Sequence, residues 1–314
     1  MVIMYCIYSG KEITPEEATV EHIIPLSLGG NDQFTIYVEK KSNSDVGSKI
    51  DGKFSQDLLI GLSQLPYDNR GHSKKPKEVR MRGIMDNAHP VTWTLSKRGG
   101  RIFDHITNEV VQRSAKLKLT SKIDLTIRFR FVCKVALATG FYLFGEDFVK
   151  YTDCDSLRKG MLCDDLENQR LDLRFHDYLH KPKEQDAVQQ ETAEMLLKYL
   201  ETSAVIFSFA EGRCIVFVSI NGKYIGMVNF AADIEKLPIQ DDLFRLGIVL
   251  SCENNKLSKK SFWRSIFDMS IDMGIIDSDT AERIKSENRS DFQEKDLQVS
   301  SYALTKIKGG EECQ

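Results

Sequence analysis

Several large classes of protein are excluded by what this chain lacks. Its 314 residues include only 7 prolines and 20 glycines, too few for a fibrous or low-complexity chain. No uninterrupted apolar run approaches ~18 residues, so no membrane-spanning helix is expected. Met1 to Gly10 has no basic start and too short an apolar stretch for an export signal. The seven cysteines, at 6, 133, 154, 163, 214, 252 and 313, form no close pair. In an unexported chain they read as reduced thiols in a packed interior, and a cytoplasmic location is expected. Asn288-Arg289-Ser290 matches a glycosylation triplet, but without export it carries no weight. There is no Walker loop, no GxSxG and no GxGxxG, so nucleotide hydrolysis and serine-esterase chemistry have no visible apparatus. No internal repeat is present.

What remains is globular: 41% hydrophobic and 28% charged, enough to bury more than one core. The formal net charge of −3 hides an asymmetry. Residues 1–39 hold 1 Lys/Arg against 6 Asp/Glu, residues 40–130 hold 19 against 9, and residues 131–314 hold 23 against 31. A basic middle between acidic flanks suits a polyanionic partner, although a merely charged surface would give the same count.

Hydrophobic periodicity predicts an α+β chain. Residues 1–8 (MVIMYCIY) and Thr19 to Ile24 read as strands. A turn-rich loop through 25–38 follows, with Gly29-Gly30-Asn31-Asp32. From about Asn43, Val46, Ile50, Phe54 and Leu58 recur every four residues, one stripe of a helix. Residues 1–60 are therefore expected to form a small strand–strand–helix module. Residues 61–120 read as a basic linker followed by a β segment, in which Val79 and Met81 alternate with Arg80 and Arg82, and Val91, Trp93 and Leu95 alternate likewise. Residues 121–285 form an α+β body. Its start is ambiguous: Ile123, Leu125, Ile127 and Phe129 alternate like a strand, whereas Val132 to Leu143 reads as a buried helix. Residues 184–201 and Ser261 to Met273 read as further helices. Ala204–Phe209, Cys214–Ile220 and Tyr224–Phe230, separated by Glu211-Gly212 and Asn221-Gly222, predict an antiparallel three-stranded meander. Residues 286–314 read as a loose polar tail.

One segment concentrates chemistry. Glu21-His22-Ile23-Ile24-Pro25 precedes Leu28-Gly29-Gly30, then come Lys40-Lys41-Ser42-Asn43 and Gly47-Ser48-Lys49-Ile50-Asp51. Adjacent strand residues point to opposite faces. Glu21 and His22 can therefore serve one site only where the strand bends, and Pro25 with the glycine pair supplies a bend. Asn43, at the start of the helix, can return over the same strand end. Carboxylate and amide oxygens are hard ligands suited to Mg²⁺, and a histidine kept off the metal can act as general base on water. His176 and His180, four apart, could share a helix face, but no third ligand accompanies them.

This succession of motifs resembles the HNH (ββα-metal) endonucleases, over about residues 3–58. The subgroup it most resembles reads Cys-x-x-Cys-Gly, Glu-His-Ile-Ile-Pro, Leu-Gly-Gly, Cys-x-x-Cys-Asn and Gly-x-x-Ile-Asp. The resemblance implies a ββα-metal fold and a divalent-metal-dependent endonuclease acting on nucleic acid, most readily DNA, in a setting such as bacterial or phage defence. It implies that His22 is the general base and that Glu21 and Asn43 hold one Mg²⁺ or Mn²⁺ ion. Asp51 is conspicuous but has no assigned role beyond support. The subgroup's four-cysteine zinc knuckle would fall on Cys6, Ser9, Glu39 and Ser42, only one of them a thiol, so no structural zinc is expected. The family's middle Asn falls near Thr35 and Ile36 and is missing.

Lys40, Lys41, Lys49 and Lys53 on the module, with Lys74, Lys75, Lys77, Arg80 and Arg82 beyond it, suit phosphate contacts. No element is shaped to read bases, so little sequence specificity is expected. The rival expectation is a degenerate module that binds nucleic acid or protein without catalysis.

Overall fold

The computed structural model describes residues 3–67, 77–86, 88–111, 116–121, 123–165, 171–177, 179, 184–239, 245–253 and 256–287. Lys74, Lys75, His180 and the greater part of the polar tail lie outside the described residues. The architecture is α+β, with two short hairpin-like pairs at the N-terminus followed by two larger antiparallel sheets.

The N-terminal module holds four short strands where the sequence predicts two. β1 (Met4–Cys6) pairs with β2 (Lys11–Ile13). β3 (Ala18–His22) pairs instead with β4 (Thr35–Glu39), His22 opposite Thr35 and Ala18 opposite Glu39. The second strand of the ββα unit thus falls within the stretch expected to be loop, although Ile36 and Val38 alternate with half-buried Thr35 and Tyr37 as a one-sided strand should. Helix α1 (Lys40–Val46) leaves β4 without a linker and continues as a π-turn over Gly47–Asp51 into α2 (Gly52–Phe54). Helix α3 (Leu58–Gln64) starts at Asp57, whose carboxylate accepts from the Leu59 and Ile60 amides.

Strands β5 (Glu78–Met85), β6 (His89–Ser96), β7 (Gly99–Asp104), β8 (Glu109–Val111) and β9 (Leu117–Thr120) form a five-stranded sheet in the order β8-β7-β6-β5-β9. The ambiguous stretch resolves as one helix, α4 (Leu125–Phe144), capped by Asp124, whose carboxylate accepts from the Ile127 amide. It is buried on nearly every side, so its sequence shows no apolar stripe and its first turn passes for a strand. α5 (Glu146–Tyr151) and α6 (Cys154–Leu162) fold back beside it. β10 (Arg174–Asp177) carries His176 on a strand, not a helix face.

After α7 (Glu184–Leu200), strands β11 (Ala204–Ala210), β12 (Arg213–Ile220) and β13 (Lys223–Ala231) form the expected meander. At its second turn Asn221 and Gly222 both take left-handed φ, 48° and 72°, as a two-residue hairpin requires. β14 (Gly247–Glu253) and β15 (Lys256–Ser261) extend the sheet to six strands, ordered β10-β13-β12-β11-β14-β15. α8 (Phe262–Asp272) and α9 (Ser278–Glu287) follow.

A single apolar cluster runs from the module into the body, from Cys6, Ile23, Phe34 and Phe54 through α4 to β11–β14. Phe54 stacks on Phe131 with ring centroids 3.8 Å apart, and Phe34 meets Tyr142 edge-on at 5.2 Å. Arg128 of α4, fully buried, grips Asp57 through Nε (3.1 Å) and Nη2 (2.8 Å), with Asp177 of β10 at 3.6 Å. α4 is long, but among the described residues no helix is long and apolar enough to cross a membrane. The cations Arg128, Arg130 and Lys134 interrupt it.

Candidate active site

The end of β3 is where the chemistry-bearing residues separate. Glu21 and His22 leave the strand on opposite faces, as the two-residue repeat dictates. Glu21 is turned into the interior and is 7% exposed. His22 stays at the surface, its side chain 24% exposed, with Nε2 2.9 Å from Asp32 Oδ1. A carboxylate only accepts, so Nε2 carries the hydrogen of this bond.

The loop between β3 and β4 brings Asp32 there. After Pro25 the chain makes a turn of 3₁₀ helix, Leu26–Leu28, and Gly29 closes it at φ 79°. Gly30 then packs directly on the preceding backbone. A β-carbon there would sit 1.8 Å from the Ile24 carbonyl oxygen, so no other residue fits. Buried Asn31 turns the chain once more by accepting from the Gln33 amide at 2.7 Å.

Asn43 approaches β3 from α1. Its Nδ2 donates to the Val20 carbonyl at 3.2 Å, tying the helix across the strand two residues before His22. The structure therefore places His22 and Asn43 along the same strand end, while the Glu21 carboxylate lies on its other face.

That other face is occupied. Lys134, fully buried at the centre of α4, sets its Nζ 2.7 Å from Glu21 Oε1 and 3.2 Å from Asp51 Oδ2. The same ammonium donates to the His22 and Ile23 carbonyls, each at 3.1 Å. Burial works against the charge on Lys134, but the Asp51 and Glu21 carboxylates together raise its pKa above the ordinary lysine value. Asp51 is pushed up to about 6, by burial first and by the neighbouring Glu21, against the pull of Lys134. Burial, and then the Glu21 and Asp51 charges, hold the Tyr8 phenol far above its usual range and so protonated. Sequence reasoning misses Lys134. A signal for it exists: it is the sole charged residue in the run 131–145.

The four positions of the implied zinc knuckle do meet. Cys6 Sγ accepts from the amides of Ser9 (3.5 Å) and Glu39 (3.2 Å), and Ser42 Oγ donates to Glu39 Oε2 at 2.7 Å. Hydrogen bonds join the residues that four thiolates would join through a metal.

Comparison with known proteins bears on the same unit. Residues 6–59 match the HNH endonuclease family. No curated protein and no solved structure matches the chain. The HNH match covers the strand–loop–strand–helix unit that carries Glu21, His22, Asp32, Asn43 and Asp51. It supports a nuclease-type function with a nucleic-acid substrate for this module.

The divalent ion that the family implies meets an expected carboxylate, Glu21, that an ammonium already engages. Among the described residues no group of three or more His, Cys, Asp or Glu side chains could hold a metal. Asn43, the other expected ligand, donates its Nδ2 to the Val20 carbonyl, a bond that leaves its Oδ1 as a carbonyl donor.

The basic residues divide. Lys41, Lys53 and Arg82 are exposed. Lys40 donates to the Glu16 carbonyl at 2.6 Å, Lys49 pairs with Asp45 at 2.9 Å, and Arg80 pairs with Glu78 at 2.9 Å, all at the surface. Lys77 is turned inward instead: it donates to Gln64 Oε1 at 2.7 Å and to the Ser27 carbonyl, and burial lowers its pKa to about 8. Its ammonium serves the junction between α3 and the β3–β4 loop.

Proposed function

We propose that the HNH module hydrolyses phosphodiester bonds of nucleic acid, most readily DNA, with His22 as general base. The observation that carries the reading is the His22–Asp32 pair at the mouth of a module that matches the HNH family. Asp32 holds the Nε2 hydrogen and so keeps Nδ1 available to take a proton from an attacking water. The positive charge that then forms on the ring is stabilised by the same carboxylate. Asn43 ties α1 over the strand end, next to the place where the substrate phosphate would sit. Lys41, Lys53 and Arg82, with the surface-paired Lys40, Lys49 and Arg80, supply the sequence-independent attraction for the backbone. Lys74 and Lys75 belong to the same basic stretch of sequence.

A plasmid-nicking assay tests this, run with Mg²⁺, with Mn²⁺ and with chelator, on wild type, His22→Ala and Asp32→Ala. His22→Ala is expected to lower the cleavage rate by about 10²–10⁴-fold with DNA binding unchanged, because a base acts in the transition state. Products are expected to carry 5′-phosphate and 3′-hydroxyl ends. A His22→Ala protein as active as wild type refutes the reading. The engagement of Glu21 by Lys134 favours a second reading, a non-catalytic module that binds nucleic acid or protein. A wild type that binds DNA but leaves it intact under all three conditions would establish that one.

A further inference from the structure

We propose that Lys134 is the resident cation of the HNH module, a tethered ammonium that takes the place of a divalent ion at Glu21 and Asp51. Four oxygens surround its Nζ within 3.2 Å: Glu21 Oε1, Asp51 Oδ2 and the carbonyls of His22 and Ile23. Two carboxylates and two carbonyls are the hard donor set that proteins use for Mg²⁺ or Ca²⁺. The spacing of 2.7–3.2 Å is that of N–H···O bonds, longer than the ~2.0–2.6 Å of those ions to oxygen. The three hydrogen bonds to His22, Ile23 and Asp51 use the three donors of one ammonium, and Glu21 adds the closest charge.

Lysine is rarely buried completely, and an isolated buried ammonium is too costly to persist. Here the rest of the run 131–145 is apolar or small, so the charge is tolerated only through what its tip reaches. Those oxygens belong to residues 21–23 at the end of β3 and to Asp51 at the end of the π-turn, two separate elements of the module, whereas the lysine belongs to the body. The ammonium therefore fixes the backbone from which His22 projects and seals Glu21 from solvent metal. Glu21 is then an anion that answers Lys134, not a metal ligand, and a divalent ion at the same oxygens would compete with the lysine.

The test uses the full chain and Mn²⁺ as the probe. Binding is read from the electron paramagnetic resonance signal of free Mn²⁺, and stability from thermal melting in chelator and in rising Mn²⁺. Glu21→Gln is expected to lower the melting temperature while changing Mn²⁺ affinity less than about twofold; no binding by either protein agrees equally, since the pocket is already filled. Lys134→Ala is expected to melt low in chelator and to gain a rise in melting temperature with each tenfold step in Mn²⁺, larger than any rise in wild type. The double variant Lys134→Ala with Glu21→Gln should lose most of that rise. Mn²⁺ binding weakened about tenfold or more by Glu21→Gln, with Lys134 in place, overturns the proposal. So does a Lys134→Ala protein that melts at one temperature with and without Mn²⁺. If Lys134→Ala is too unstable to melt cooperatively, the Glu21→Gln comparison decides alone. Since binding and melting are read rather than cleavage, a wild type that fails to nick DNA refutes the nuclease reading and leaves this one standing.

Discussion

Replacing Phe54 by Ala should unseat the HNH module from the body. The ring is fully buried at the end of α2 and lies nearly parallel to Phe131 of α4, 11° between planes at 3.8 Å between centroids. A phenylalanine buries roughly 150–250 Å², which at ~25 cal/mol per Å² amounts to about 4–6 kcal/mol for the whole side chain. The alanine methyl keeps a part of this, and incomplete collapse of the cavity adds some back, so the net loss is expected at about 3–5 kcal/mol. Against a typical total of ~5–15 kcal/mol, that is a large fraction. Guanidinium denaturation reads it as a lowered midpoint. In a double-mutant cycle with Phe131→Ala, the double variant should lose about 0.5–1.5 kcal/mol less than the sum of the two single losses. A loss below ~1 kcal/mol for both single variants would refute the view that this stack holds the module against α4. A separate early transition for the module in wild type would refute it as well.

Three further outcomes are expected. Dialysis against a chelator should leave the wild-type melting temperature unchanged, because hydrogen bonds and packing link Cys6, Ser9, Glu39 and Ser42; a fall of ~5 °C or more with release of one zinc per chain would contradict this. Asp51, with its pKa at about 6, holds in the fold a proton that the unfolded chain releases near the usual aspartate value, so its contribution to stability is fully present below that lower value and is lost as the pH rises through about 6. Asp51→Asn should therefore lessen the loss of stability that wild type shows between pH 5 and pH 7.5, measured by denaturation at both; identical pH dependence in the two proteins would count against a raised Asp51. DNA affinity should fall steeply with salt, and Lys41→Glu with Lys53→Glu should flatten the log–log slope by about one unit for each phosphate no longer neutralised, alike for unrelated sequences; salt-insensitive binding would favour a protein partner.

The parts of the site that can be read from sequence are those made by neighbours in the chain. Glu21-His22, Pro25, the glycine pair and Asn43 lie within one short segment, and their geometry follows from local rules: a strand end, a turn, a close backbone approach. The Asn221-Gly222 hairpin is legible for the same reason. Strand β4 is obscured because the helical stripe becomes regular only from about Asn43, whereas the helix leaves the strand at Lys40 with no intervening turn. Asp32 reads only as a turn residue, since nothing local says that a loop carboxylate will return to an imidazole ten positions earlier. Helix α4 defeats periodicity because both its faces are buried. Lys134 reaches residues more than eighty positions away, an interaction that no local pattern encodes.

The position of β3 gives these facts one physical sense. A module of this size is marginal by its own burial, and a knuckle with one thiol lacks the four ligands of a structural zinc. The body adds to its stability, and the inward face of β3 is where the body takes hold, through the Lys134 ammonium on Glu21 and the carbonyls beside it. The outward face is left to His22 and Asp32. The alternation of a single strand then sorts the effects of substitution. Changes at Glu21, Asp51 or Lys134 act first on melting, and on cleavage only through it. Changes at His22 or Asp32 act on cleavage with melting nearly unmoved. A Glu21→Gln protein that melts like wild type yet has lost all cleavage would break that division and return Glu21 to the chemistry.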